Sequence, residues 1–295
     1  MHKHNGPISE YNVFYMLPNK LSDVEITNFR ETVWNFSSEH FRTMPWRTSP
    51  TPYYVLVSEL MLQQTQVSRV IPKFEAFVAQ FPDITALAKA SLGDVLIAWS
   101  GLGYNRRAKF LWQAAQRIVA ENGGAMPATY AELVALPGIG PNTAGAILAY
   151  AYEQPVVFVE TNIRTVLLHH FFADTDDKIS DRVLEGICQQ VIDHEHPREW
   201  YWAMMDYGTY LKKTAGGRLH QSAAYRAQSK LEGSLRQMRG RIIRELAEGP
   251  LAASQLRAAV KADERFEVAI DALTKEGMVE GDGRHYRLTA ASNTR

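Results

Sequence analysis

The stretch Leu136-Pro137-Gly138-Ile139-Gly140-Pro141-Asn142-Thr143, followed by the apolar, Ala-rich run 144–152, constrains this chain more than any other. Gly138 and Gly140 permit a backbone turn too tight for side chains, and Pro141 suits the first position of a helix. The spacing predicts two helices joined by a glycine hairpin, the second beginning just after Gly140. Such a helix start presents unpaired N–H groups and the positive end of the helix dipole to whatever lies outside it, an arrangement that suits a phosphate. Gly138, Gly140, Asn142 and Thr143 are therefore candidate contacts to a nucleic-acid backbone, bound without reading bases. The alternative is a plain helix–helix turn closed by a glycine cap, and the hairpin alone leaves both open.

Two carboxylates bear on that choice. Glu160 lies eighteen residues past Asn142 in Val159-Glu160-Thr161-Asn162-Ile163-Arg164, after the apolar run Val156-Val157-Phe158; a lone acid there also suits the cap of a following helix. Glu59 is the one acid in Val57-Ser58-Glu59-Leu60-Met61-Leu62-Gln63-Gln64-Thr65-Gln66, a partly apolar stretch in which desolvation should raise its pKa. Two acids in unlike surroundings suit two roles, one a proton donor and one a charge stabiliser.

Taken together, Pro45-Trp46-Arg47, Pro52-Tyr53, the run 58–67, Gly101-Leu102-Gly103-Tyr104 and the hairpin resemble, in order and spacing, the helix-hairpin-helix DNA glycosylases of the endonuclease III superfamily. Within it the chain is most similar to the adenine DNA glycosylases, over residues 34–210. The resemblance implies removal of a damaged or mispaired base from double-stranded DNA, in the first place adenine opposite 8-oxoguanine or guanine, the alternatives being a different modified or mismatched base, or a catalytically weak DNA-binding relative. Breaking the glycosidic bond requires a proton for the leaving base and an anion beside the developing sugar cation. Glu59 is the candidate acid, Glu160 the candidate anion and Asn162 its orienting partner. Gln63 and Gln64 are ordinary surface amides taken alone; by the resemblance they contact DNA, Gln64 as a wedge filling the gap left by the flipped nucleotide. Tyr104 becomes a second probe at the mismatch, and Arg106, Arg107 and Arg164 become DNA contacts.

Three departures from the family pattern carry expectations of their own. Glu160 stands where the family has Asp, and one added methylene moves the charge by about 1.5 Å unless the backbone compensates, where a misplacement of about 1 Å can cost about 10²-fold in rate. Asn142 stands where the strand-cleaving branch has a nucleophilic lysine, so a monofunctional enzyme is expected. Close relatives ligate an iron–sulfur cluster with four cysteines after the motif matching Asp206-Tyr207-Gly208-Thr209, whereas Cys188 is the chain's one cysteine. No cluster and no other metal or cofactor is expected, the nine histidines reading as surface or packing residues.

Along the rest of the chain, residues 1–23 read as an N-terminal arm and 24–215 as an all-α, two-lobed core. Helices are expected from Asp23 to about Met44 and over residues 54–66, 71–81, 85–90, 95–99, 108–122 and 144–152. A formal net charge of zero neither supports nor excludes nucleic acid, because charge can be segregated. Nine Lys or Arg against one acid between Lys212 and Arg244 show such segregation, and residues 216–239, with Lys230 and Arg239, read as a basic linker or helix on DNA. Gln228, Ser229 and Ser234 are further candidate phosphate donors. Helices over 241–248, 254–260 (capped by Ser254) and 266–276, then a hairpin turning at Asp282-Gly283, predict a winged helix over 240–290, with Arg284, His285 and Arg287 on its wing. This tail is unlike the β-rich domain with which adenine glycosylases recognise 8-oxoguanine. No apolar run reaches the roughly eighteen residues of a membrane span and no signal-peptide core follows Met1, so a cytoplasmic monomer is expected.

Overall fold

The structure is a computed structural model that describes residues 20–224 and 229–290. Nearly all of the N-terminal arm, together with Arg226 and Gln228, lies outside the described residues. The core consists of α1 (Asp23–His40), α2 (Pro45–Thr48), α3 (Pro52–Leu62), α4 (Val67–Gln80), α5 (Ile84–Lys89), α6 (Leu92–Ala98), α7 (Arg106–Asn122), α8 (Tyr130–Ala135), α9 (Pro141–Tyr152), α10 (Thr161–Phe171), α11 (Asp181–Val191) and α12 (Pro197–Thr214). Local chemistry sets many of the starts. Ser22 and Glu25 form a reciprocal capping box on α1, while Ser91 accepts from Asp94 N at 2.9 Å on α6.

The chain folds back so that α1 packs with α10, α11 and α12 while α2 to α9 form a second group, with α9 touching α12 across the cleft between them. A buried ion pair ties the two groups: the Asp206 carboxylate on α12 accepts a fork from Arg47 on α2 at 2.8 and 3.0 Å, and from Arg42 N and Nε at 3.0 and 2.6 Å.

Several elements differ from their expected bounds, each for a local reason. The helix expected over 54–66 ends at Leu62, because the Arg107 guanidinium takes the carbonyls of Leu60, Met61 and Gln63 at 2.6, 3.1 and 2.7 Å. Gln63 and Gln64 therefore leave the helical phase and form a turn, with Gln64 at φ +54°. Helix α4 begins four residues before its expected start and contains Pro72, whose missing N–H costs the ladder one bond. The helix Ala253–Ala259 starts directly out of a strand, so Ser254 is inside the helix rather than its cap, and Gln255 Oε1 accepts from Ala252 N at 3.1 Å instead.

Past α12, a 3₁₀ turn (Leu219–Gln221) precedes α13 (Leu235–Ala247), β1 (Leu251–Ala252), α14 (Ala253–Ala259), α15 (Arg265–Lys275), β2 (Val279–Gly281) and β3 (His285–Leu288). Ser234 caps α13, which begins six residues before the expected 241, so Arg236 and Arg239 are helical. The strands form an antiparallel sheet in the order β1-β3-β2, giving the winged-helix arrangement one strand more than the hairpin predicts. Asp282 Oδ1 accepts from Arg284 N and His285 N, both at 2.8 Å, which closes the wing's turn.

This second unit is docked on the core. Glu276 accepts from Arg106 Nη2 and Arg239 Nη2, both at 2.6 Å, Lys109 Nζ donates to its carbonyl, and Gly93 N reaches Thr289 O at 3.0 Å. Burial raises the Glu276 pKa, but the two guanidiniums outweigh it and hold the group below its ordinary value. Glu276→Gln should lower stability at pH 7 by about 1–2 kcal/mol. Because the folded pKa is depressed, that difference should vanish as pH falls below about 4; thermal melts at the two pH values test it.

Candidate active site

A cleft of about 740 Å³ opens between the two helix groups, lined by α3, the start of α9, the segment entering α10, and α12. Glu59 reaches it from α3, a helix whose other residues 55–58, 60 and 61 are all buried. Its carboxyl accepts no hydrogen bond among the described residues. Surrounding protein denies it most of its hydration, and this burial, reinforced by the negative Glu160, pushes its pKa up to about 8; Arg47 pulls the other way. The upward shift favours the protonated form of Glu59 at neutral pH.

Glu160 enters the same cleft differently, as the N-cap of α10. Its Oε1 accepts from Asn162 N at 2.5 Å and Ile163 N at 3.0 Å, and Asn162 Nδ2 lies 3.4 Å from Oε2. Burial raises its pKa, opposed by Ile163 N–H, Lys212, Asn162 N–H and Arg164. The cap and the cleft are thus compatible: one oxygen ties down the helix start while the group stays in the cleft wall. The Glu160 carboxylate folds back onto the start of its own helix.

Lys212 and Tyr150 belong to the candidate site, and the sequence did not single them out for it. Lys212 Nζ donates to Asn162 Oδ1 at 2.6 Å, which turns the Asn162 amide so that its Nδ2 faces Glu160. Its sole sequence signal was membership of a basic run. Tyr150 is a buried residue of α9 lining the cleft, its pKa raised well above normal by burial and then by Glu59 and Glu160. Close approach of α12 to α10 makes the arrangement possible, since a Cβ on Gly208 would lie 2.3 Å from Asn162 O.

The hairpin leads to the rim of the cleft. Gly138 has φ +77° and no room for a side chain, a Cβ there lying 2.5 Å from Phe110 Cβ. Gly140 is the N-cap of α9 with no side-chain cap bond, and Gly138, Gly140 and Asn142 are exposed while Thr143 is buried. Asn142 Nδ2 donates to Val159 O at 3.3 Å, hooking the hairpin to the segment that carries Glu160. Gln63 and Gln64 stand exposed at the edge of the cleft.

The remaining expected DNA contacts separate by environment. Arg107 is buried beneath the Gln63–Gln64 turn and has no face for a phosphate. Arg164 is also buried, bonded to Asp181 at 2.9 Å and to Val159 O at 3.2 Å, so it positions the Glu160 segment instead. Arg239 is committed to Glu276, as is Arg106, although Arg106 remains well exposed. Lys230 is exposed and away from the cleft lining. Tyr104 sits at φ +49° under the Arg236 guanidinium, 4.4 Å from the ring centroid.

A four-thiolate cluster does not fit the residues present. Cys188 is buried on α11, its Sγ 3.5 Å from Tyr201 Oη, and no group of three or more metal-ligating side chains occurs among the described residues. The segment after α12 is held by hydrogen bonds: Arg218 Nη1 donates to Ala173 O at 2.7 Å, and Gln221 Nε2 to Phe172 O at 3.2 Å and to Thr175 O. No described helix is long and apolar enough to cross a membrane.

Residues 57–190 match the family model of the HhH-GPD superfamily base excision DNA repair proteins. A protein of Mycolicibacterium smegmatis named adenine DNA glycosylase is 32% identical over 265 residues, covering 82% of this chain and 90% of its own. Proteins of the same name from Buchnera aphidicola (strain Bp) and Homo sapiens are 35% and 36% identical, each over 62% of this chain. The chain spans about half the length of the Buchnera relative (52%) and 36% of the human one. Among solved structures, a thermostable thymine-DNA glycosylase superposes with a TM-score of 0.56 at 20% identity, covering 63% of this chain and 86% of that one. A trapped endonuclease III–DNA covalent intermediate gives 0.55 at 18%, covering 64% and 87%. At such identities the superpositions speak for the fold. Sequence and fold agree: this chain belongs to the HhH-GPD superfamily of base excision DNA repair proteins, within the family of the adenine DNA glycosylases.

Proposed function

We propose that the protein is a monofunctional DNA N-glycosylase that removes a mispaired base from double-stranded DNA, adenine opposite 8-oxoguanine or guanine being the substrate. The observation that carries this reading is the pair of carboxylates facing one cleft, Glu59 kept protonated by burial and Glu160 held by backbone N–H groups and the Lys212–Asn162 relay. Glu59 gives its proton to the base as the bond from the sugar C1′ to the base nitrogen breaks. The sugar gains oxocarbenium character, which Glu160 stabilises. Water then adds to C1′ and returns its proton to Glu59, leaving an abasic site. The exposed hairpin amides suit the DNA backbone and the Gln63–Gln64 turn suits the gap in the base stack. The names of the relatives support adenine as the base.

Absence of a lysine at position 142, together with the commitment of Lys212 to Asn162, supports base release without strand cleavage, and the cysteine content supports a cluster-independent enzyme. Single-turnover release from duplexes bearing adenine opposite 8-oxoguanine or guanine, beside a panel of deaminated, alkylated and oxidised bases, tests the proposal. Adenine release lost in both Glu59→Gln and Glu160→Gln supports it. Release of another base alone keeps the reaction and replaces the substrate, and tight duplex binding without release of any base rejects it.

The acid limb of the pH–rate profile reports on Lys212. Its charge lowers the Glu160 pKa, so Lys212→Met should move that limb to higher pH and slow release by about tenfold near neutrality, with the alkaline limb still near the Glu59 value of about 8.

A further inference from the structure

One polar group of the cleft takes no part in the chemistry above. Tyr150 is 5% exposed and lines the cleft from α9, the helix packed on the α3 that carries Glu59. Its hydroxyl makes no hydrogen bond among the described residues, and it lies in the field of both Glu59 and Glu160. Several polar neighbours are already committed: Arg47 bonds Asp206, Asn162 bonds Glu160 and Lys212, and Ser58 Oγ donates to Val55 O at 3.0 Å. The ring is held from three sides. It stacks on Trp202 with centroids 6.0 Å apart and planes 29° apart, and Phe158 meets it edge-on at 6.1 Å. Arg198 fixes the backbone behind it, donating to Tyr150 O through Nε and to Ala151 O at 3.3 Å through Nη2. A phenylalanine would fill the same space without leaving a hydroxyl short of partners. A rigid donor and acceptor left open in a cleft is suited to a ligand that brings the missing partner.

We propose that the Tyr150 hydroxyl is a specificity-determining contact to the flipped base, accepting a hydrogen bond from the exocyclic amine of adenine while Glu59 donates to the ring nitrogen beside it. The proposal rests on the glycosylase reading above, with adenine as the base. On one edge adenine presents an acceptor, N7, next to a donor, the N6 amine. A protonated carboxyl meets the first and a phenol oxygen the second, so side chains from two packed helices, α3 and α9, address that edge as a unit. A base without the amine leaves the phenol unpaired inside a closed cleft, the situation in which a polar site discriminates most strongly.

Single-turnover release by the full chain and by Tyr150→Phe tests this, from duplexes bearing adenine or unsubstituted purine, which lacks the amine, opposite the same 8-oxoguanine. Phenylalanine keeps the stack on Trp202 and removes the hydroxyl alone. The two bases leave at different intrinsic rates, and comparing the adenine-to-purine ratio between the two proteins cancels that difference. The ratio should fall about tenfold in Tyr150→Phe, the scale of one hydrogen bond. Equal slowing of both bases overturns the proposal, since it marks a structural part or a hold on the attacking water, and so does a ratio unchanged at unchanged rates. Affinities for the same two bases on a sugar fluorinated at C2′, which resists cleavage, should shift in the same sense. If the unaltered chain releases no adenine, the glycosylase reading fails by itself. The affinities then still decide the contact, and an adenine-to-purine affinity ratio that is the same in both proteins overturns it.

Discussion

Glu59→Gln should slow base release by about 10²–10⁴-fold while making the protein more stable. Removal of the proton donor accounts for the first effect. The second follows from the raised pKa of Glu59, about 8 against an ordinary 4.5. A carboxyl of this kind favours the folded state fully below its unfolded pKa, and the advantage is lost as pH rises through the folded value. Gln is neutral throughout, so the gain on substitution should be negligible at pH 4 and grow with pH. It should level off above pH 8 at about 2–4 kcal/mol, allowing for the partial solvent access that the cleft gives the side chain. Thermal melts from pH 4 to 9 beside single-turnover rates read both effects. A rate loss with no pH-dependent stabilisation would mean that Glu59 is ionised in the free protein.

Arg107→Ala should cost about 3–5 kcal/mol and remove base release together with it. Its guanidinium is a buried cation with carbonyl oxygens where a carboxylate would ordinarily stand, and burial lowers its pKa to about 10, which still leaves it charged at pH 7. Beyond the end of α3 it also bonds Gly103 O at 3.1 Å and Thr65 Oγ1 at 3.2 Å, so one side chain fastens the Gln63–Gln64 turn to the Tyr104 loop. Alanine would leave these buried acceptors without donors. Lysine carries the charge but cannot spread its donors over five or six oxygens, and it should recover less than half of the loss. Urea titration gives the stability, and limited proteolysis at the 63–66 turn gives the local opening.

The sequence-level reading succeeded where the determinant is local. The hairpin glycines, the single acid in an apolar helix and the Asp282-Gly283 turn each announce themselves within a few residues, and each takes the expected form. It failed where a distant side chain decides. Periodicity runs α3 on to Gln66 because nothing between residues 62 and 66 says that a guanidinium from α7 will claim the carbonyls. Arg106 and Arg107 are identical in type and adjacent, yet a helix turns about 100° per residue, so one faces solvent and the other the interior. Lys212 and Tyr150 are brought to the carboxylates by packing of α12 and α9, and nothing in their immediate neighbours marks them.

The bare approach of α12 to α10 at Gly208 bears on positional noise. Most catalytic side chains inherit the jitter of the rotamers that support them. Glu160 instead is referenced to main chain: two amides of its own helix hold one oxygen, and that helix start abuts the backbone of α12 with no intervening side chain. Rotamer hopping in the surrounding core therefore has little lever on that oxygen, whereas Oε2 answers to the Asn162 and Lys212 side chains. Displacement of that oxygen is thereby coupled to displacement of the α10 start and of α12, collective motions slower than the turnover of side-chain conformers.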